Sequence, residues 1–253
     1  MKNVFLCRHG YLYTAAICIV ACSLFFSSCD TREVADNTLS RSEKKEGWIL
    51  LFDGTTIDEW RVQGAPEMQP ASGWSIEDNC LKVKWDNQGK NKNIVTRKEF
   101  ADFEFSVEWK LTAASNSGII YHFGDEFTKA PPCTGPEYQI IDDLGWPVEL
   151  TEDHFTGVDY EMHLPDNAKK KLHPVGEFNH SKIVFNKGHV EHWLNGQKIL
   201  EFEAWTPDWY ERLEKSKWKT ANCYGTNKSG AIMLQNYRDC ELWFKNIKVR
   251  PLD

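Results

Sequence analysis

Phe103, Phe105, Val107, Trp109 and Leu111 alternate with Glu104, Ser106, Glu108 and Lys110, a period of two kept without a break. Successive side chains of a strand point to opposite faces, so this stretch predicts a half-buried strand. Residues 74–76 and 81–85 flank Asp78-Asn79 and predict a hairpin. Residues 189–194 and 198–202 flank Asn195-Gly196, a pair that supplies the positive φ angles of a tight hairpin turn. Further strands are expected at 117–123, 182–186, 231–235 and 240–249, and one helix at 208–217, where Trp209, Leu213 and Trp218 fall near one face. Many short strands with almost no helix predict an all-β sandwich of two antiparallel sheets. Trp109 and Trp243 both stand in alternating strands and are expected in its core.

The strand predicted at 135–142 carries more polar groups than packing needs. Tyr138 and Ile140 share one face, Glu137 and Gln139 the other. A β-bulge after Gln139 would turn Asp142 onto the Glu137 face and line up Glu-x-Gln-x-x-Asp, although a solvated edge strand gives the same alternation. In 116–122, alternation puts His122 with Gly118 and Ile120, opposite Ile119 and Tyr121. Asn116, His192 and Gln235-Asn236 add amides and an imidazole at strand ends, the groups that bind sugar hydroxyls. Trp146, Trp205 and Trp209 lie in connecting segments, where an indole either stacks on a sugar ring or pins a loop.

Residues 1–29 read as a leader. Lys2 and Arg8 precede an apolar run at 11–26 that is too short to span a membrane. Ser27-Ser28-Cys29 ends it, and small residues before a Cys predict lipidation at Cys29 and a membrane-anchored, exported protein. Residues 30–46 are polar and read as a flexible tether, leaving 47–252 as one domain. Losing Lys2 and Arg8 takes the formal charge from −7 to −9, and no basic stripe suggests a nucleic-acid partner. Cys80, Cys133, Cys223 and Cys240 allow three disulfide pairings or remain buried thiols. His154, His163, His173 and His180 stand among loop carboxylates without HExxH or paired-Cys spacing, so a divalent metal is compatible with the chain but marked by no motif.

Leu51-Phe52-Asp53-Gly54, Asn116-Ser117-Gly118-Ile119, Gly135-Pro136-Glu137-Tyr138-Gln139-Ile140, His192-Trp193-Leu194-Asn195-Gly196 and residues 243–249 together resemble the 3-keto-disaccharide hydrolase domain family. The resemblance runs in order along nearly all of 47–252. It implies a concanavalin A-like jelly roll with a sugar-processing role, in exported bacterial proteins that are often lipoproteins. The family commonly has Arg where His122 stands, and a His soon after the position of Gln235, where this chain has Asn236-Tyr237.

What the resemblance implies chemically is cleavage of a 3-keto-glycoside. The C3 ketone acidifies the C2 proton, a base removes it, and the C1–oxygen bond breaks by elimination. Glu137 is the expected base or acid, with Asp142 or His122 as its partner. Gln139, Asn116, Gln235, Asn236, His192 and Trp146 are the expected contacts to the carbohydrate. A divalent metal polarising the ketone is the one cofactor the scheme admits. Two alternatives remain at this level. One is an ordinary glycoside hydrolase using Glu137 and Asp142, since Glu-x-Gln-x-x-Asp is similar to the Glu-x-Asp-x-x-Glu strand of retaining glucanases. The other is a non-catalytic carbohydrate-binding lipoprotein.

Overall fold

The computed structural model describes residue 1 and residues 35–65, 73–85, 92–124, 134–221 and 223–252. The chain divides between Glu33 and Val34, and the sandwich lies within Val34–Asp253. Cys29 and the leader lie outside the described residues, as does Cys133.

The strands are β1 (Ile49–Leu50), β2 (Trp60–Val62), β3 (Trp74–Glu77), β4 (Cys80–Lys84), β5 (Ile94–Thr96), β6 (Phe103–Leu111), β7 (Asn116–Phe123), β8 (Glu137–Ile141), β9 (Asn179–Asn186), β10 (His189–Leu194), β11 (Gln197–Glu203), β12 (Ala231–Leu234) and β13 (Glu241–Pro251). Among the described residues the α-helices are α1 (Arg41–Lys45) and α2 (Pro207–Lys215), with 3-10 turns at Glu152–His154 and Lys217–Thr220. One sheet has eight strands in the order β11-β10-β9-β6-β13-β4-β3, with β1 also on β13; the other runs β2-β5-β12-β7-β8. All pairs are antiparallel, and the architecture is the predicted all-β jelly-roll sandwich. Both predicted hairpins form, with positive φ at Asp78 and Asn79 and at Asn195 and Gly196.

The core lies between the sheets. Phe103, Phe105, Val107 and Trp109 of β6 meet Ile119, Tyr121, Tyr138, Ile140, Ile232 and Leu234 of the smaller sheet. A second apolar cluster, Val95, Ile120, Phe123, Ala231 and Met233, covers the other face of the five-stranded sheet. That face is therefore buried as well, which is unusual for the solvent side of an antiparallel sheet.

Two expectations are corrected here. Trp243 is not core: β13 alternates, Leu242 and Phe244 point inward, and Trp243 points out. There the ammonium groups of Lys82 and Lys110 sit 4.8 and 4.6 Å from its ring, contacts that need no burial to be favourable. The segment 35–46 is not a loose tether. Asn37 N–H donates to Asn246 Oδ1 at 2.6 Å, Asn246 N–H returns a bond to Asn37 Oδ1 at 2.8 Å, and Asn37 Nδ2 donates to the Asn79 carbonyl at 2.7 Å. Asp36 pairs with Lys245, Glu43 with Lys248, and a Ser40/Glu43 capping box starts α1.

Cys223 is disulfide-bonded, whereas Cys80 and Cys240 are free buried thiols. Among the described residues no helix is long and apolar enough to cross a membrane.

Asn37 is only 3% exposed, so its bonds are shielded from water. Asn37→Ala is expected to lower stability by about 2 kcal/mol, because it strands Asn246 N–H and the Asn79 carbonyl. Chemical denaturation checks this: an unchanged midpoint would mean that 35–46 contributes nothing to the fold.

Candidate active site

The β7–β8 ladder runs without a register shift, pairing Asn116 with Ile141, Gly118 with Gln139 and Ile120 with Glu137. Partners across a ladder share a face. Glu137 and Gln139 therefore stand with Ile120 and Gly118 on the outer face of the five-stranded sheet. Pairing continues on both sides. Met233 lies opposite Ile120 and Val95 opposite Met233, while Tyr160 N–H donates to the Glu137 carbonyl at 3.0 Å. A row Val95, Met233, Ile120, Glu137, Tyr160 results, apolar up to the carboxylate.

The neighbouring row is Gln235, Gly118, Gln139. Gln235 N–H donates to the Gly118 carbonyl at 3.0 Å. Gly118 leaves a gap in this row, and the Glu137 carboxylate fills it: a Cβ at Gly118 would stand 2.0 Å from Glu137 Oε1. Glu137, Gln139 and Gln235 thus converge. Asn116 follows on the same face, 7% exposed, with its Oδ1 unpartnered.

Glu137 is 8% exposed, and among the described residues no donor reaches its carboxylate. Burial pushes its pKa up to about 7; the Lys217 ammonium opposes this and the Asp159 carboxylate adds to it.

Three other expected site residues lie elsewhere. The predicted bulge does not form in β8, so Asp142 stays off the Glu137 face. Its carboxylate accepts backbone N–H groups of Ala114 at 2.9 Å, Gly145 at 2.9 Å and Leu144 at 3.3 Å, which ties two loops together. Nearby, an apolar hollow of about 290 Å³ is lined by Trp109, Leu111, Ile141, Asp142, Leu144 and Val175, and its walls do not include Glu137.

The bulge occurs in β7 instead, between the pairs Met233–Ile120 and Ala231–Phe123. His122 takes φ 53° there and turns into the core. Its Nε2–H donates to the Ala101 carbonyl at 2.7 Å, its ring lies 4.2 Å from Phe185, and burial lowers its pKa. Gly135 makes room for this kink, since a Cβ there would stand 1.7 Å from the Tyr121 carbonyl oxygen. His192 is also core, fully buried between the Tyr121 hydroxyl at 3.1 Å and the Gly157 carbonyl at 3.0 Å, with its pKa pushed down to about 4 by burial.

Two more residues flank the site without contacting Glu137. Asn236 is buried with neither amide atom partnered, although its N–H donates to Asn93 Oδ1 at 2.9 Å. Trp146 is half-buried, its ring 5.8 Å from Tyr237.

The structure adds a wall that the sequence did not announce. Tyr160 extends the sheet past β8 and faces outward beside Glu137. Its hydroxyl pKa is pushed to about 12, by burial first and then by Glu161 and Glu137. Lys217 Nζ lies 3.9 Å over the Tyr160 ring, 4.5 Å over Trp218 and 3.3 Å from Glu161 Oε1. Trp218 Nε1–H donates to the Tyr160 carbonyl at 3.0 Å, and Trp218 stacks on Tyr224, which stacks on Trp209, at 4.7 and 6.0 Å. Tyr160 and Tyr224 sit outside regular elements, and the helical period at Trp209 and Trp218 does not say which strand they pack beside, so no local pattern pairs this wall with Glu137. Of the Trp residues expected in connections, Trp209 pins the connecting helix α2 to the core at 1% exposure.

His189, Glu191 and Glu201 form one group of metal-ligand type among the described residues, on the outward face of the β10–β11 hairpin. Lys198 already bridges Glu191 and Glu201. The cluster belongs to the larger sheet and not to the Glu137 face.

A Glu whose folded pKa is raised stabilises the fold most below about pH 4.5, and that contribution is lost as pH rises through about 7. Glu137→Gln is therefore expected to gain stability on the wild type between those values, by about 3 kcal/mol at pH 8. Thermal melts of both proteins at pH 4.5 and pH 8 check this; a pH-independent difference would mean that the carboxyl is not desolvated.

Comparison with known proteins agrees with this architecture. The family model described as a 3-keto-α-glucoside-1,2-lyase-like domain matches residues 47–250. A 3-keto-disaccharide hydrolase of Bacteroides thetaiotaomicron is 33% identical over 237 residues, which cover 82% of this chain and 79% of that protein. A crystal structure of a candidate glycosyl hydrolase from Parabacteroides distasonis matches with a TM-score of 0.78 at 33% identity, covering 87% of this chain and 100% of that one. A second from the same organism, at 24% identity and a TM-score of 0.59, covers 81% of this chain and 99% of its own and shares the fold. The chain belongs to the 3-keto-α-glucoside-1,2-lyase-like domain family.

Proposed function

We propose that this protein cleaves the glycosidic bond of 3-keto-glycosides by proton abstraction at C2, elimination at C1 and addition of water. The observation that carries the reading is the Glu137 carboxyl: buried, without a donor among the described residues, and pushed to about 7. A base with its pKa near working pH holds its carboxylate form while keeping a strong tendency to take a proton. In the reaction the C2–H electron pair moves into a C2–C3 double bond, and the ketone oxygen becomes an enolate. The pair then returns to form the C1–C2 double bond, the C1–oxygen bond breaks, and the leaving oxygen takes a proton. The C2 hydrogen and the glycosidic oxygen stand on adjacent carbons, so Glu137 serves both transfers in turn. Water adding across C1–C2 gives the free 3-keto sugar, a net hydrolysis.

In this reading Gln139, Gln235 and Asn116 hold hydroxyls around that base, and the Trp146–Tyr237 pair serves as an aromatic edge for the substrate. The kinship with a 3-keto-disaccharide hydrolase supports this substrate class. An ordinary two-carboxylate glycosidase fits less well, because its second carboxylate, Asp142, is taken up by backbone N–H groups on another face. A divalent ion could assist at the ketone; a chelator arm in the assay reports on it.

Released aglycone is the readout, from a 3-keto-glucoside and its unoxidised parent, each with and without chelator. Cleavage of the oxidised substrate alone is expected, and cleavage of the parent at a similar rate would replace the elimination scheme with ordinary glycoside hydrolysis. Glu137→Gln is expected to lower kcat by roughly 100-fold or more, while Asp142→Ala mainly lowers thermal stability. For the wild type, kcat/KM should rise with pH towards a plateau above about 7, as Glu137 loses its proton.

The leader and Cys29 support an exported, lipid-anchored protein. Cys29→Ser is expected to move it from the membrane fraction to the soluble fraction, and unchanged partitioning would rule that anchor out.

A further inference from the structure

A proton leaving C2 moves negative charge, and the surroundings of Glu137 are arranged unevenly for it. Before transfer the charge rests on the Glu137 carboxylate; afterwards it rests on the ketone oxygen, two bonds from C2. Donors that gain strength only after the transfer lower the barrier without tightening substrate binding. Gln139 Oε1 is turned to its neighbour's backbone, accepting from Ile140 N–H at 3.1 Å. Beyond it the acidic groups dominate: Asp159, buried and paired with His163 and Tyr224, and Glu161, bonded to His154 Nε2 at 3.1 Å.

Among the described residues, the cation that acts on Glu137 in this setting is Lys217. Lys217 Nζ is held 3.9 Å over the ring of Tyr160, the residue that stands opposite Glu137 across the extended ladder, and 3.3 Å from Glu161 Oε1. Its backbone N–H donates to Glu161 Oε2 at 3.2 Å, and the neighbouring Trp218 is fixed by the Trp209–Tyr224–Trp218 stack. The ammonium thus rests on a wall of stacked rings, with its side chain 44% exposed. A cation kept there for an anionic substrate would have to overcome Glu137, Glu161 and Asp159. A neutral sugar that becomes anionic only during reaction meets no such repulsion.

We propose that Lys217 is a catalytic residue of this site, its Nζ donating to the C3 oxygen and stabilising the enolate as Glu137 takes the C2 proton. The assignment rests on the 3-keto-glycoside reading above. Charge then migrates from the carboxylate to the enolate oxygen beside a fixed ammonium. As Glu137 becomes neutral it suits its apolar row of Ile120 and Met233. When the pair returns and C1–O breaks, the ketone is restored and Lys217 is unchanged.

The test uses the whole domain, with Lys217→Met and Lys217→Arg beside the wild type and Glu137→Gln. Each is assayed for kcat and KM on a 3-keto-glucoside, and for solvent deuterium uptake at C2 of 3-keto-glucose. Lys217→Met is expected to lose roughly 100-fold in kcat and in deuterium uptake, with KM within about threefold. Lys217→Arg should recover part of the loss. The acid limb of kcat/KM should move to higher pH in Lys217→Met, because the ammonium no longer favours the Glu137 carboxylate. Thermal melts confirm that each variant is folded; if Lys217→Met is not, Lys217→Gln replaces it in the same comparison. A kcat within about threefold of the wild type, or a loss confined to KM, overturns the assignment. If the wild type leaves the 3-keto substrate intact, the parent reading falls and this one with it. If the wild type turns over, Glu137→Gln does not, and Lys217→Met is normal, only the role of Lys217 falls.

Discussion

The unbroken pairing of β7 with β8 is the constraint on which the outer face of the five-stranded sheet depends. It puts Glu137 beside Ile120 and diagonal to Gly118, and the carboxylate lies over the space the glycine leaves. Shifting the ladder by one residue would send Glu137 and Gln139 into the inter-sheet core and bring Tyr138 and Ile140 out, exchanging the buried aromatic surface for buried polar groups. Tyr138 and Ile140 are both fully buried against the larger sheet, so the packing that holds the sandwich together also fixes the register of the site. The proposed chemistry inherits its precision from that packing.

The second support is lateral. β8 would be an edge strand, but residues 157–160 pair along it and end in Tyr160. An edge carrying a buried carboxylate would admit water, and the carboxylate would then titrate as an ordinary one. Covering it with Tyr160, and backing Tyr160 with stacked aromatic rings, keeps the group desolvated. Two of the eleven Trp residues, Trp209 and Trp218, find their use here as wall and pin.

Much of this was legible along the chain. The period-two run of β6, the Asn195-Gly196 turn and the faces of β8 all follow from local chemistry, and Glu137 and Gln139 stand where alternation places them. What was not legible depends on neighbours distant in sequence. The β7 bulge falls at His122 and adjoins Gly135, and it reverses the side on which the imidazole lies. A one-strand reading puts a bulge wherever it would be useful, and β8 was the wrong strand. Asn37 and Asn246 lock the N-terminal segment from 209 positions apart, so a polar stretch without periodicity proved ordered. An alternating strand does not by itself say which of its faces is inward, and at Trp243 two lysines on adjacent strands make the outside favourable for an indole.

The depth of His192 has a consequence for the whole molecule in weak acid. An imidazole with a folded pKa of about 4 refuses a proton that the unfolded chain accepts from about pH 6.5 downward, so acidification erodes the folded state through it. Glu137 leans the other way over nearly the same interval and by a similar amount. Between about pH 4.5 and 6.5 these two opposing slopes cancel to first order. Taken alone, the pair would hold the balance level across that interval; His122 and His180, whose imidazoles burial also keeps below their ordinary value, tilt the molecule toward unfolding in weak acid.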